Sequence, residues 1–187
     1  MKKRLVILAL SLVALAAPCG LAAARDGAPK EPAGYRMDDY LAPTPPTLQG
    51  AKVLTTQQAI ELWKTKTAVF VDALIRPPKP ANLPGNVVWR DPPRKDIPGS
   101  VWLANVGFGA LAPSVQKYFE DGLARATGGD RTKTLVFYCR KNCWMSWNAA
   151  KRAISLGYSS VSWYPDGTDG WEAAKQPLEP REPEPQD

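Results

Sequence analysis

Cys139 and Cys143 lie in the stretch Leu135-Val136-Phe137-Tyr138-Cys139-Arg140-Lys141-Asn142-Cys143-Trp144. The four residues before Cys139 form an apolar, partly aromatic run of strand length, opened by the polar Thr132-Lys133-Thr134. From Ser146 to Arg152 the residues favour a helix, and Gly157 stands where a helix stop is expected. A cysteine at a strand end, just before a helix, faces unpaired backbone N–H groups and the positive end of the helix dipole. In such a setting a thiol of pKa about 8.5 falls to roughly 3.5–7.5. The stretch predicts nucleophilic or redox sulfur chemistry.

The remaining composition narrows that chemistry. There is no histidine in 187 residues, which excludes a Cys–His nucleophile pair, a His-ligated zinc and covalent haem attachment through Cys-x-x-Cys-His. Lys2, Lys3 and Arg4, the apolar run from Leu5 to Ala17 and the small residues Ala22-Ala23-Ala24 predict a secretory signal peptide over residues 1–24. Pro18 precedes Cys19 where a lipid-attachment signal wants a small residue, so Cys19 is expected to leave with the signal. Removing Lys2, Lys3 and Arg4 lowers the formal net charge from +6 to +3, with no Lys/Arg-rich block left to bind nucleic acid. The expected location is periplasmic or secreted, with no membrane association after signal removal. In an oxidising compartment the two remaining cysteines are expected to meet as a disulfide at some stage.

The elements that must hold this loop can be read around it. Residues 25–52 are rich in proline and small residues, with Tyr35, Met37 and Tyr40 among them, and read as an extended arm with an aromatic middle pinned to the body. A helix is predicted from Thr55 to Lys66, with Thr56 as its cap and Ala59, Ile60, Leu62 and Trp63 as its apolar stripe. Val69-Phe70-Val71 is a buried strand ending in Asp72, whose carboxylate is expected to tie down a neighbouring loop. Residues 76–99, with proline clusters at both ends, read as a stiff loop whose basic residues face a partner or solvent. Val101-Trp102-Leu103 is a strand, 113–125 a helix and Val161-Ser162-Trp163-Tyr164 another strand. Asp166 and Asp169 fall short of a calcium loop and read as a turn with a helix cap. The tail from Pro177 is expected to be mobile. The predicted domains are therefore 1–24 signal, 25–52 arm, 53–180 folded domain and 181–187 tail.

Strands alternating with helices predict an α/β fold, a mainly parallel sheet with helices on both faces. Ligands of such sheets gather at the strand carboxyl ends, where Asp72 and Cys139 both fall.

Val71-Asp72, Ile97-Pro98-Gly99-Ser100, Phe137-Tyr138-Cys139, Gly157-Tyr158 and the ending Gly167 to Pro180 resemble, in order and spacing, a rhodanese-like domain over residues 53–180. Cys143-Trp144-Met145-Ser146-Trp147-Asn148-Ala149-Ala150-Lys151-Arg152 and Trp163-Tyr164-Pro165-Asp166-Gly167-Thr168-Asp169-Gly170-Trp171 are more specifically similar to the exported CXXCW motif family associated with PQQ-dependent catabolism of alcohols. The resemblance implies Cys139 as the persulfide-bearing nucleophile; Cys143, which an ordinary rhodanese loop does not need, reads equally as a resolving thiol or as a static staple. The resemblance also implies a cradle of backbone N–H groups over residues 140–145. Arg140, Lys141, Asn142 and Trp144 would bind substrate, and Asp72 and Trp147 would support the site. No cofactor is implied. The partners implied are a small sulfur-containing substrate or a periplasmic redox protein, and a PQQ-dependent dehydrogenase system. Sulfurtransferase loops usually carry an arginine near the Trp144 position and a glycine near Asn142, and this loop has neither.

Three readings stay open at this level. One is persulfide carriage or dithiol–disulfide exchange at Cys139 and Cys143. A curled loop of five residues would bring their Cα atoms to about 6 Å, inside the roughly 4.4–6.8 Å a disulfide accepts. The second is a non-catalytic accessory domain with a structural disulfide and a docking loop at 76–99. The third is a Cu(I) site using both thiolates and Met145.

Overall fold

The computed structural model describes residues 28–186. The predicted signal segment, residues 1–24, lies outside them. Five parallel strands form one sheet: β1 (Lys52–Val53), β2 (Val69–Asp72), β4 (Val101–Trp102), β5 (Leu135–Tyr138) and β6 (Val161–Trp163), in the order β1-β6-β5-β2-β4. A second, two-stranded sheet pairs β3 (Arg94–Asp96) antiparallel with β7 (Glu179–Arg181). The helices are α1 (Thr56–Thr65), α2 (Pro113–Thr127), α3 (Trp144–Ser155) and α4 (Gly167–Ala173). The predicted α/β class holds.

The central strand β5 is buried at all four positions, as a strand covered on both faces must be. Its pleat sends Leu135 and Phe137 into a core shared with Phe119 and Leu123 of α2 and Trp147 and Ala150 of α3. Val136 and Tyr138 go to the opposite core, with Ile60 of α1 and Trp171 of α4. The register aligns Asp72 with both Tyr138 and Trp102, so β2, β4 and β5 end level. One residue further on, the chain reaches Cys139 at the carboxyl edge of the sheet.

Four expectations are corrected. Thr55, not Thr56, caps α1: its hydroxyl accepts from Gln58 N and its own N–H donates to the Gln58 side chain, a reciprocal capping box. Thr56 is already helical and accepts instead from the Tyr164 hydroxyl at 3.0 Å. Helix α3 begins at Trp144 rather than Ser146, because Cys143 has extended backbone and Trp144 and Met145 are packed into the core. The tail, expected to be mobile, supplies β7 and then docks further: Glu184 N donates to Trp102 O at 2.9 Å and the Tyr118 hydroxyl to Glu184 O at 3.0 Å. Its partner strand β3 comes from within 76–99, so that segment is not wholly loop.

Among the described residues, no helix is long and apolar enough to cross a membrane.

Candidate functional site

Cys139 and Cys143 form a disulfide across the loop between β5 and α3, with Cα atoms 6.4 Å apart. Asn142 takes the left-handed conformation at φ +55°, which turns the chain back so that Cys143 can cap α3. Both sulfur-bearing residues are enclosed: Cys139 is 0% and Cys143 1% exposed. Met145 completes their cluster, with Tyr40, Leu74, Ile75 and Phe108 packed around it. On the far side of Ile75 and Phe108 lies an open cavity of about 320 Å³, also lined by Arg76, Asn105 and Leu111.

A hydroxyl reaches the nucleophile position. Ser146 Oγ, one turn into α3, lies 3.2 Å from Cys139 Sγ and 3.3 Å from Cys143 O, and it accepts from Trp163 Nε1 at 3.1 Å. With one acceptor site filled by the indole, its proton is left for the cysteine loop. Sequence reasoning passed over Ser146 as an ordinary helix residue. Its position three residues after Cys143, on the inner face of the helix, was the available signal.

The loop backbone is held from below by a buried ionic cluster. Arg94 Nε and Nη2 reach Asp72 Oδ2 at 2.7 and 2.6 Å, Nε lies 2.9 Å from Asp96 Oδ1, and Nη2 donates to Cys139 O at 3.4 Å. Thr168 adds its N–H at 3.0 Å and its hydroxyl at 3.2 Å to the same carbonyl. Asp72 also accepts from Leu74 N at 2.9 Å, which is the loop-tying role expected of it. Asp72 and Asp96 are fully buried. Two carboxyls share one guanidinium here. Burial, and then the Asp72 carboxylate beside it, push Asp96 up to about 9, so Asp96 holds a proton at neutral pH. Burial works against the Arg94 charge, but Asp72 and Asp96 outweigh it and hold Arg94 above its ordinary value. The same surroundings, burial foremost, raise Tyr138, whose hydroxyl accepts from Ile97 N and donates to Ser100 Oγ at 2.8 Å.

The predicted substrate-binding residues divide. Arg140, Lys141 and Asn142 form the exposed rim of the loop. Trp144 is buried, and its Nε1 donates to Pro43 O at 3.1 Å, so it faces the arm. Trp147 packs against Trp144 and donates from Nε1 to Thr47 O at 3.1 Å, so it too faces the arm. The expected N–H cradle is partly filled. Lys141 N donates to Asp169 Oδ2 at 2.9 Å and Trp144 N to Tyr40 O at 2.8 Å. Arg94, expected in a partner-facing loop, points inward instead.

Residues 90–174 match the family model described as Rhodanese-like domain. That segment contains Arg94, Asp96, the cysteine loop and α3, and it begins after the arm and Asp72. No curated protein matches the chain. Solved structures similar to it include a thiosulfate sulfurtransferase from Pseudomonas aeruginosa, at 18% identity over 71% of this chain and 21% of that one, TM-score 0.46. Another is the 30 kDa polysulfide-sulfur transferase homodimer from Wolinella succinogenes, at 17% identity over 71% and 80%, TM-score 0.44. A third is an uncharacterized protein from Saccharomyces cerevisiae, at 22% identity over 66% and 92%, TM-score 0.39.

Proposed function

We propose that this chain is an exported, periplasmic thiol protein that exchanges a disulfide at Cys139 and Cys143. The observation that carries the reading is the closed pair itself, set at the carboxyl end of the central strand and the N-terminus of α3 with the Ser146 hydroxyl beside Cys139 Sγ. A rhodanese-like segment points to sulfur-containing substrates. Of the two sulfur chemistries, dithiol–disulfide exchange suits this loop better than persulfide carriage. A persulfide wants free N–H donors or an arginine around its outer sulfur, and two of the loop N–H groups are already bonded to Asp169 and Tyr40.

In the exchange, a thiolate of a partner dithiol attacks one sulfur of the pair and the other cysteine leaves as a thiolate. The partner's second thiol then breaks the mixed disulfide, so the pair gains two electrons and the partner becomes a disulfide. In the reverse direction Cys139 is the attacking thiolate and Cys143 resolves. The Ser146 hydroxyl beside Cys139 Sγ favours the anion on Cys139, and the α3 N-terminus, which Cys143 caps, favours a thiolate on the pair. We place the physiological setting beside a PQQ-dependent dehydrogenase system on the resemblance of the Cys143-Trp144 and Trp163-to-Trp171 motifs. Three residues separate the cysteines here, where the CXXCW name has two.

The test is the reduction potential of the pair, measured by equilibration in thiol redox buffers and counting alkylated cysteines by mass. A value near about −200 mV supports exchange, and one below about −300 mV makes the bond a structural staple. The complete burial of both sulfurs favours that second reading, an accessory domain with a static disulfide, and the potential separates the two.

A further inference from the structure

The arm that buries the disulfide is held in an unusual way. Asn148 of α3, itself fully buried, clamps one residue of the arm at both ends of its backbone: Arg36 N donates to Asn148 Oδ1 at 2.9 Å and Asn148 Nδ2 to Arg36 O at 2.8 Å. Trp144 N then reaches Tyr40 O, Trp144 Nε1 reaches Pro43 O and Trp147 Nε1 reaches Thr47 O. All five bonds are made by the first two turns of α3, and all five end on main-chain atoms of the arm. This is how a groove receives an extended polypeptide whose backbone it recognises, with affinity from main-chain hydrogen bonds and little demand on sequence. The Tyr40 side chain, laid on Phe108 and on the cysteine cluster, closes the space over the sulfurs.

We propose that the face of α3 from Trp144 to Asn148 is a peptide-binding groove occupied by the chain's own residues 35–48, which act as a lid over Cys139–Cys143. When the lid leaves, the disulfide and the α3 N-terminus open together, and an extended segment of the thiol partner takes the vacated backbone contacts. Arm release also returns the Trp144 N–H to the loop, so opening restores part of the anion cradle the closed state lacks. The lid matters to function only if the pair is exchanged, and in that respect it rests on the reading above.

The experiment compares the mature chain with Arg36→Pro, which removes the donated arm N–H and the guanidinium that lies over the Trp144 ring, and Asn148→Leu, which removes the clamp from the other side together with the Asn148 Nδ2 bond to Gly107 O. Lid release is read by chymotrypsin cleavage after Tyr40 or Leu41, bonds that both variants keep cleavable. Access is read as the rate of disulfide reduction by a water-soluble phosphine, which is oxidised to its oxide as the two thiols form, followed by alkylation and mass. The expected result is reduction about tenfold faster in Arg36→Pro, the order of one ordinary hydrogen bond lost, and faster again in Asn148→Leu, which loses both bonds to the arm. A synthetic peptide of residues 33–48 added in trans should return the rate towards that of the parent. Faster cleavage with a reduction rate within about twofold of the parent overturns the lid, since opening at that energetic cost must show. Cleavage unchanged in both variants also overturns it, because the arm is then a fixed part of the core. Phosphine reduces structural and exchanging disulfides alike, so the rate tests the lid and the potential separately tests the exchange.

Discussion

Replacing Asp96 by asparagine tests the buried cluster beneath the cysteine loop. Asp96 faces Asp72 and Arg94 directly, and Tyr138 and Arg181 lie within electrostatic reach. Its folded value is pushed up to about 9 from an ordinary 3.8, by burial first and by Asp72 second. The folded chain therefore keeps a proton that the unfolded chain has already lost over the range between those values. A raised acid contributes stability that is fully present below the unfolded value and is lost as pH rises through the window up to the folded value. The slope is about 1.4 kcal/mol per pH unit for one proton. From about pH 7 to about pH 8.5 that is a loss of up to roughly 2 kcal/mol, or about 4–8 °C in Tm for a domain of this size.

The chain has no histidine and both cysteines of the site are in the disulfide, so few other side chains titrate in this window. The introduced amide would remain neutral at every pH and could still donate to Asp72. Thermal unfolding of the parent and Asp96→Asn at a series of pH values should show the parent falling and the variant staying nearly flat, so the variant gains on the parent as pH rises. Parallel curves across the window would refute a buried proton on Asp96, and with it the view that one guanidinium here serves two carboxyls of which only one is charged.

Other outcomes follow from the same geometry. Ser146→Ala removes the hydroxyl beside Cys139 Sγ. In the reduced protein it should raise the Cys139 thiol by about 1–2 pH units, since a hydrogen bond to a charged group is worth roughly 1.5–3 kcal/mol. The pH dependence of alkylation checks this, and an unmoved profile would discard the role given to Ser146. Gly167→Ala should destabilise by about 1–3 kcal/mol: Gly167 sits at φ +51°, and a Cβ there would lie 2.5 Å from Cys139 O. A denaturant midpoint within error of the parent would contradict that. Arg94→Met should cost about 3–5 kcal/mol, as expected when a buried ion pair loses its cation, and it should be milder combined with Asp72→Asn and Asp96→Asn in a triple variant. A single variant as stable as the parent would show that the cluster does not hold the loop.

Much of the scaffold was legible because its signals are local and periodic. Leu135 to Tyr138 could only be a strand covered on both faces, and it placed Cys139 at a sheet edge before a helix. Asp72 was read correctly as a loop tie because an acidic residue closing an apolar strand has little else to do. Helix α1 was found, but its cap slipped by one residue because Thr55 and Thr56 are both good caps. The reciprocal bond from Gln58, three residues after Thr55, decides between them. Arg94 and Asp96 escaped because they sit among prolines in a segment whose composition says loop. Their partners Asp72 and Thr168 lie 22 and 74 residues from Arg94. The tail strand escaped for a related reason. Glu179-Pro180-Arg181 is poor in strand formers, and it is held by pairing with β3 rather than by its own propensity.

The arm is the deepest of these gaps, and its physics explains both the gap and its proposed use. Its aromatic middle announced that it was pinned, but the bonds that pin it end on the carbonyls and N–H groups of Arg36, Tyr40, Pro43 and Thr47, which every sequence possesses. A contact made through main chain leaves little trace in the sequence of the segment it holds. For the same reason those five bonds can be transferred to another extended segment, whereas the side-chain contacts of Tyr35 with Arg152, Arg36 with Trp144 and the Tyr40 hydroxyl with Gly109 N stay particular to this arm. Two of the four large apolar side chains exposed among the described residues, Met37 and Leu41, ride on this arm, and the other two, Val87 and Val88, lie in the 76–99 segment. The exposed apolar surface thus sits on the two segments added around the sheet. If the pair is exchanged as proposed, a disulfide shut under its own chain, with Met37 and Leu41 exposed on that cover, suits opening by a partner better than by a small diffusing thiol. The arm variants above would bear this out if they speed reduction by a protein dithiol more than reduction by a small one. Equal acceleration for both would leave a simple shield with no role in choosing the partner.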